Sequence, residues 1–107
     1  MKKQIKAFNS LLELIGDSPL VRLNRSTSSF NGQFFDKYEA HNPGHSNKDR
    51  IALYIINEAE RSGLLKKGST IIETTSGNTG FSIAMISLIK GYNCILAVSS
   101  KSSKDKI

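Results

Sequence analysis

Residues 70–98 constrain the fold more than any other stretch of this sequence. Thr70-Ile71-Ile72-Glu73-Thr74 is rich in β-branched residues and reads as a strand. The polar run Thr75-Ser76-Gly77-Asn78-Thr79-Gly80 follows as a loop. An apolar helix is then expected over 81–90, closed by Gly91 as its C′ residue, and a buried strand over 93–98. Strand, loop, helix, strand is a βαβ unit, which forces parallel pairing and a right-handed crossover. The fold class is therefore α/β, a parallel sheet with flanking helices. Parallel sheets need helices on both faces, and the three short helices expected in this chain cannot cover both. The last residues, Lys104-Asp105-Lys106-Ile107, open an element rather than close one, so the chain is expected to be truncated.

Upstream, Ser10 with Glu13 three residues later forms a capping box ahead of Leu11, Leu12, Leu14 and Ile15. Gly16 stops that turn, and Asp17-Ser18-Pro19 redirects the chain. Leu20-Val21-Arg22-Leu23 alternates like a half-buried strand, residues 24–32 read as a polar loop, and residues 33–40 as a second extended segment. Asn42-Pro43-Gly44 ends it, the glycine relieving a turn. A helix should run from near Ser46 to about Arg61, with Ile51, Ile55 and Ala59, widened by Ala52 and Ile56, as its apolar stripe. Asp49, Glu58, Glu60 and Arg61 fall largely outside that stripe.

Composition excludes several classes. At 107 residues there is room for at most one small domain, and 38% apolar with 22% charged residues is the balance of a soluble globular chain. No apolar run approaches the roughly 20 residues that span a bilayer. The basic start lacks the apolar core of a secretory signal, so Asn24-Arg25-Ser26 reads as a chance glycosylation match. A lone Cys94 permits no internal disulfide and points to a reducing compartment, the cytoplasm by default. The net charge of +6 is scattered. Lys101, Lys104 and Lys106 do cluster, but with no aromatic beside them for a base to stack on, so a solvated face is expected and neither nucleic acid nor membrane is indicated.

Two segments carry chemistry. The 75–80 loop, between a strand and a helix start, presents unpaired backbone N–H groups and a positive dipole end suited to phosphate or carboxylate. Its glycines are spaced G-x-x-G, matching neither the P-loop nor the dinucleotide fingerprint, and a polar capping loop is the plain alternative. Lys48 stands in the first turn of the 46–61 helix, where the dipole disfavours an ammonium and favours the neutral, nucleophilic amine. The alternative is an exposed lysine paired with Asp49 or Glu39.

Three ordered motifs then carry a resemblance. Ile15-Gly16-Asp17-Ser18-Pro19-Leu20-Val21-Arg22-Leu23, then Asn42-Pro43-Gly44 with Ser46 and Lys48-Asp49-Arg50, then Ser76-Gly77-Asn78-Thr79-Gly80 resemble the signatures of the cysteine synthase and cystathionine β-synthase family. The resemblance implies the fold-type II (tryptophan synthase β-like) pyridoxal-phosphate enzyme fold, of which this chain would be an incomplete, N-terminal part. It implies that Lys48 condenses with the aldehyde of pyridoxal 5′-phosphate and moves protons at the substrate α-carbon, and that Asn78 bonds the cofactor's 3-oxygen. Thr75, Ser76, Gly77, Asn78 and Thr79 would bind the amino-acid carboxylate. The implied reaction is β-replacement on serine or O-acetylserine by sulfide or a thiol, giving cysteine or cystathionine, in a full-length homodimer. Serine or threonine dehydration, or a non-catalytic fragment, stays open as an alternative.

Where His45 and Asn47 stand, the family commonly has a small and an aliphatic residue, which bears on substrate specificity; His45 is read as solvated. The family's cofactor-phosphate loop and the partner of the pyridine nitrogen lie downstream of Ile107. The isolated chain is therefore expected to bind the cofactor weakly and to be inactive. Residues 1–35 would pack on the larger domain, and residues 36–107 would form part of the smaller one.

Overall fold

A computed structural model describes residues 6–75 and 77–101. Ser10 caps a 3-10 helix over Leu11–Leu14: its hydroxyl accepts from the Leu12 N–H at 3.1 Å, and the Glu13 carboxylate accepts from the Asn9 and Ser10 N–H groups at 2.6 and 3.1 Å. The expected capping box is therefore present. Strands β1 (Leu20–Leu23) and β2 (Phe34–Lys37) pair antiparallel, with Leu20 opposite Lys37 and Leu23 opposite Phe34. Both are exposed along their whole length, so the half-buried reading of Leu20–Leu23 is corrected. The two strands form a sheet of their own, and two strands cannot bury each other's side chains. The extended reading of 33–40 also stops early. Residues Glu39–His41 turn into a 3-10 helix, which carries the Glu39 carboxylate inward to Ser18, Asn42 and Arg50.

Helix α1 covers Lys48–Arg61, strand β3 Thr70–Thr74, helix α2 Asn78–Lys90 and strand β4 Asn93–Ala97. Strands β3 and β4 run parallel, Thr70 opposite Asn93 and Thr74 opposite Ala97, with α2 as the crossover. The βαβ unit is the one expected. Gly91, at φ 84°, closes α2 in the left-handed conformation. β4 is mostly exposed rather than buried, because among the described residues β3 is its sole strand partner and α2 packs across the pair. α2 starts at Asn78, not Phe81. Residue 80, inside the helix, is glycine because the Thr75 methyl occupies the space beside it; a Cβ at residue 80 would stand 2.5 Å from Thr75 Cγ2.

Ala52 and Ile56 of α1 meet Ile83 and Ile86 of α2 to form the core, with Leu12, Ile15, Leu53, Leu65, Ile71, Met85, Tyr92 and Cys94 packed around them. The stripe of α1 is rotated from the expected one. Ile51 and Ile55 are 46% and 52% exposed, whereas Asp49 is fully buried in line with Ala52 and Ile56. At the far end of the helix pair, Glu60 accepts from Lys90 Nζ and Tyr92 Oη, each at 2.6 Å. The Lys90 bond holds the Glu60 carboxyl below its ordinary range, and the Glu60 carboxylate raises the Tyr92 phenol above its own. Among the described residues no helix is long and apolar enough to cross a membrane. The helix expected at Lys104, and with it Lys104 and Lys106, lies outside them.

Candidate active site

Polar contacts lock the two N-terminal motifs together. Asn42, 1% exposed, accepts from the Gly16 N–H at 2.7 Å and donates to the backbone and side chain of Glu39, both at 2.7 Å. Glu39 also accepts from the Ser18 hydroxyl at 2.8 Å and forks with Arg50 through Nε and Nη2, both at 3.1 Å. The Arg50 fork above all, with the Ser18 hydroxyl, lowers the Glu39 carboxyl to about 2. The opening signature is thereby seated against the first turn of α1.

Lys48 is the first residue of that turn and is half-buried, its N–H donating to Ser46 Oγ at 3.2 Å. The two carboxylates that could have paired with it are engaged elsewhere. Glu39 holds Arg50, and Asp49 accepts from the Gly44 N–H and from Ser82 Oγ, each at 2.5 Å. Among the described residues the Lys48 ammonium forms no ion pair. The Asp49–Ser82 bond carries the lysine-bearing turn onto the beginning of α2, because Ser82 lies one helical turn beyond Asn78.

α2 begins without a side-chain cap: Gly77 is its N-cap residue, at φ −117° and ψ −151°. Its first-turn N–H groups therefore have no intrahelical acceptor and, among the described residues, no capping side-chain oxygen, the arrangement that binds anions. Thr75 Oγ1 accepts from the Gly77 N–H at 3.4 Å. Asn78 and Gly77 are exposed and Thr79 is half-buried, and a Cβ built at Gly77 would meet nothing within 4 Å. Ser76 lies outside the described residues. The structure thus brings together Thr75, Gly77, Asn78 and Thr79 at one helix start, with the Lys48 turn pinned to the same helix. His45 is exposed, as expected, though at φ 65°.

The joint of Gly44, Asp49 and Ser82 is what sequence reasoning missed. Gly44 does not adopt a positive φ; it is glycine because the Asp49 carboxylate fills the place of its side chain. The available signal was a pair of serines, Ser82 and Ser87, set inside an otherwise apolar helix. Among the described residues no group of three or more His, Cys, Asp or Glu side chains is placed to hold a metal.

Residues 11–107 match the model of a family described as pyridoxal-phosphate dependent enzymes. The chain belongs to this family. It is 48% identical over 103 residues to a probable cysteine synthase of Bacillus subtilis, covering 96% of this chain and 33% of that protein. It is 43% identical over 109 residues to cystathionine beta-synthase of Oryctolagus cuniculus, covering 100% of this chain and 20% of that one. A solved hydrogen sulfide-producing enzyme of Fusobacterium nucleatum superposes with a TM-score of 0.87 at 44% identity, over 94% of this chain and 33% of that one. The family is pyridoxal-phosphate dependent, the fold is part of the fold-type II architecture, and the chain spans a fifth to a third of these relatives.

Proposed function

We propose that the protein carrying this chain is a pyridoxal-phosphate enzyme of β-replacement, acting on serine or O-acetylserine with sulfide or a thiol to give cysteine or cystathionine. The observation that carries the reading is the Asp49–Ser82 bond at 2.5 Å, which sets a lysine-bearing turn against an uncapped helix start. The names of the relatives, cysteine synthase and cystathionine beta-synthase, agree with it.

The residues fit one side of the cofactor. Lys48 offers an amine engaged in no ion pair among the described residues, the chemistry an aldehyde requires. The exposed Asn78 amide supplies a donor for the 3-oxygen beside that aldehyde. When bound, pyridoxal phosphate supplies an electron sink that makes the substrate α-hydrogen acidic. Thr75, Ser76 and Thr79, with the N–H groups at the start of α2, bind the substrate carboxylate and orient the α-carbon. Lys48 Nζ takes the α-proton and returns it. Residues 1–35 serve the same protein by docking on its larger domain. In support, Leu20, Val21, Phe34 and Phe35 all stand exposed on the β1–β2 sheet, an apolar surface of the kind that marks an interface.

Borohydride reduction of the cofactor-loaded whole protein, followed by peptide mass spectrometry, tests this. The label is expected on Lys48, and Lys48→Ala is expected to abolish both the cofactor's bound-state absorbance and product formation from either substrate pair. A label on another lysine, or turnover that survives Lys48→Ala, overturns the reading.

A further inference from the structure

Asp49 is a fully buried carboxylate that the proposed chemistry does not use. Each of its oxygens has one partner. Oδ2 accepts from the Gly44 N–H and Oδ1 from Ser82 Oγ, both at 2.5 Å. Ser82 is itself fully buried, and Gly44 is buried too. A Cβ at residue 44 would lie 2.8 Å from both Cγ and Oδ2 of Asp49, and closer still to Oδ1. One carboxylate therefore occupies a slot left for it by a glycine and joins three segments: the 42–47 turn, the first turn of α1 and the second turn of α2.

Two neighbours give this joint a chemical meaning. Lys48 precedes Asp49 in the same helical turn, so the carboxylate fixes where the lysine's backbone starts. Asn78 lies four residues before Ser82 on the same face of α2, so the serine fixes where the asparagine's backbone stands. Amine and amide address adjacent ring substituents, the aldehyde and the 3-oxygen, and must keep a constant separation to reach both. The Asp49–Ser82 bond is the shortest polar link between the two helices at this end.

On the reading that Lys48 carries the cofactor, we propose that Asp49 is a positioning residue of the site. Through its bonds to Gly44 and Ser82 it sets the separation between the Lys48 amine and the Asn78 amide. Neither Asp49 nor Ser82 touches substrate; both act by holding the residues that do.

The test is the rate at which borohydride traps pyridoxal phosphate on Lys48 in the whole protein, followed by peptide mass spectrometry with Lys66 as an internal control. Ser82→Ala removes one hydroxyl from a helix that alanine favours. It should fold, label Lys48 about tenfold or more slowly while Lys66 is unchanged, and speed amide exchange at Gly44, since small misplacements of reacting groups are costly. Asp49→Asn keeps an acceptor for Gly44 and can donate to Ser82, so its labelling should stay near the unmodified rate. If Ser82→Ala traps the cofactor on Lys48 at the unmodified rate, the positioning role is wrong and the proposed function stands. Should Ser82→Ala fail to fold, Asp49→Ala, which removes both acceptors, takes its place: Lys48 trapping slowed about tenfold with Lys66 unchanged upholds the role, and trapping at the unmodified rate overturns it. No label on Lys48 in the unmodified protein refutes the proposed function itself, while Gly44 exchange in Ser82→Ala still reports the joint.

Discussion

Replacing Gly44 with alanine probes the Asp49 joint without left-handed backbone strain. Residue 44 is not among the positive-φ glycines, so left-handed strain does not enter and the main cost falls on a collision. The new methyl would stand 2.8 Å from Asp49 Cγ and Oδ2, inside contact distance of a carboxylate with no solvent to retreat into. Moving the carboxylate breaks its bonds to the Gly44 N–H and Ser82 Oγ. Hydrogen bonds to a charged group contribute roughly 1.5–3 kcal/mol each, so Gly44→Ala should destabilise the whole protein by about 3 kcal/mol or more. Urea unfolding with a double-mutant cycle measures it. In an Asp49→Ala background the slot is empty, and Gly44→Ala should then cost about 2 kcal/mol less than in the unmodified protein. Equal costs in the two backgrounds would refute the collision as the cause.

Two further outcomes follow from other contacts. The Glu39 carboxyl is lowered from an ordinary 4.5 to about 2 by Arg50, so between those values the unfolded chain binds more protons than the folded one. Its contribution to stability is complete above pH 4.5 and disappears as pH falls to about 2, and Glu39→Gln should remove that part of the acid dependence in urea midpoints. Gly80→Ala brings a methyl against Thr75 Cγ2, an overpacking cost that exceeds the gain in helix propensity by about 1 kcal/mol. Thr75→Ser, which removes that methyl and keeps the hydroxyl, should restore the thermal midpoint of Gly80→Ala.

The exposed β1–β2 sheet and the buried α1–α2 contact place the folding information unevenly along the chain. Ala52, Ile56, Ile83 and Ile86 satisfy each other within these residues, whereas Leu20, Val21, Phe34 and Phe35 do not. The polar network through Glu39, Asn42 and Arg50 crosses between these regions and seats one on the other. The placement of Lys48 therefore depends on contacts from three sequence-distant segments: 16–18, 39–44 and the start of α2.

Local rules were enough for the elements that depend on neighbours in sequence. The Ser10–Glu13 capping box, the Gly91 stop and the β3–α2–β4 crossover could be read from side-chain type and spacing, whereas Lys48 and residues 75–79 stood out as a site through the family resemblance. Tertiary contacts alone decided three other features: which face of α1 is buried, where α2 begins, and why residue 44 is glycine. Periodicity favoured Ile51 and Ile55 for the core, yet packing rotated α1 to bury Asp49, because Ser82 and Gly44 supply two donors from outside the helix. A carboxylate is hydrophilic until partners distant in sequence satisfy it, and a one-dimensional pattern does not contain those partners.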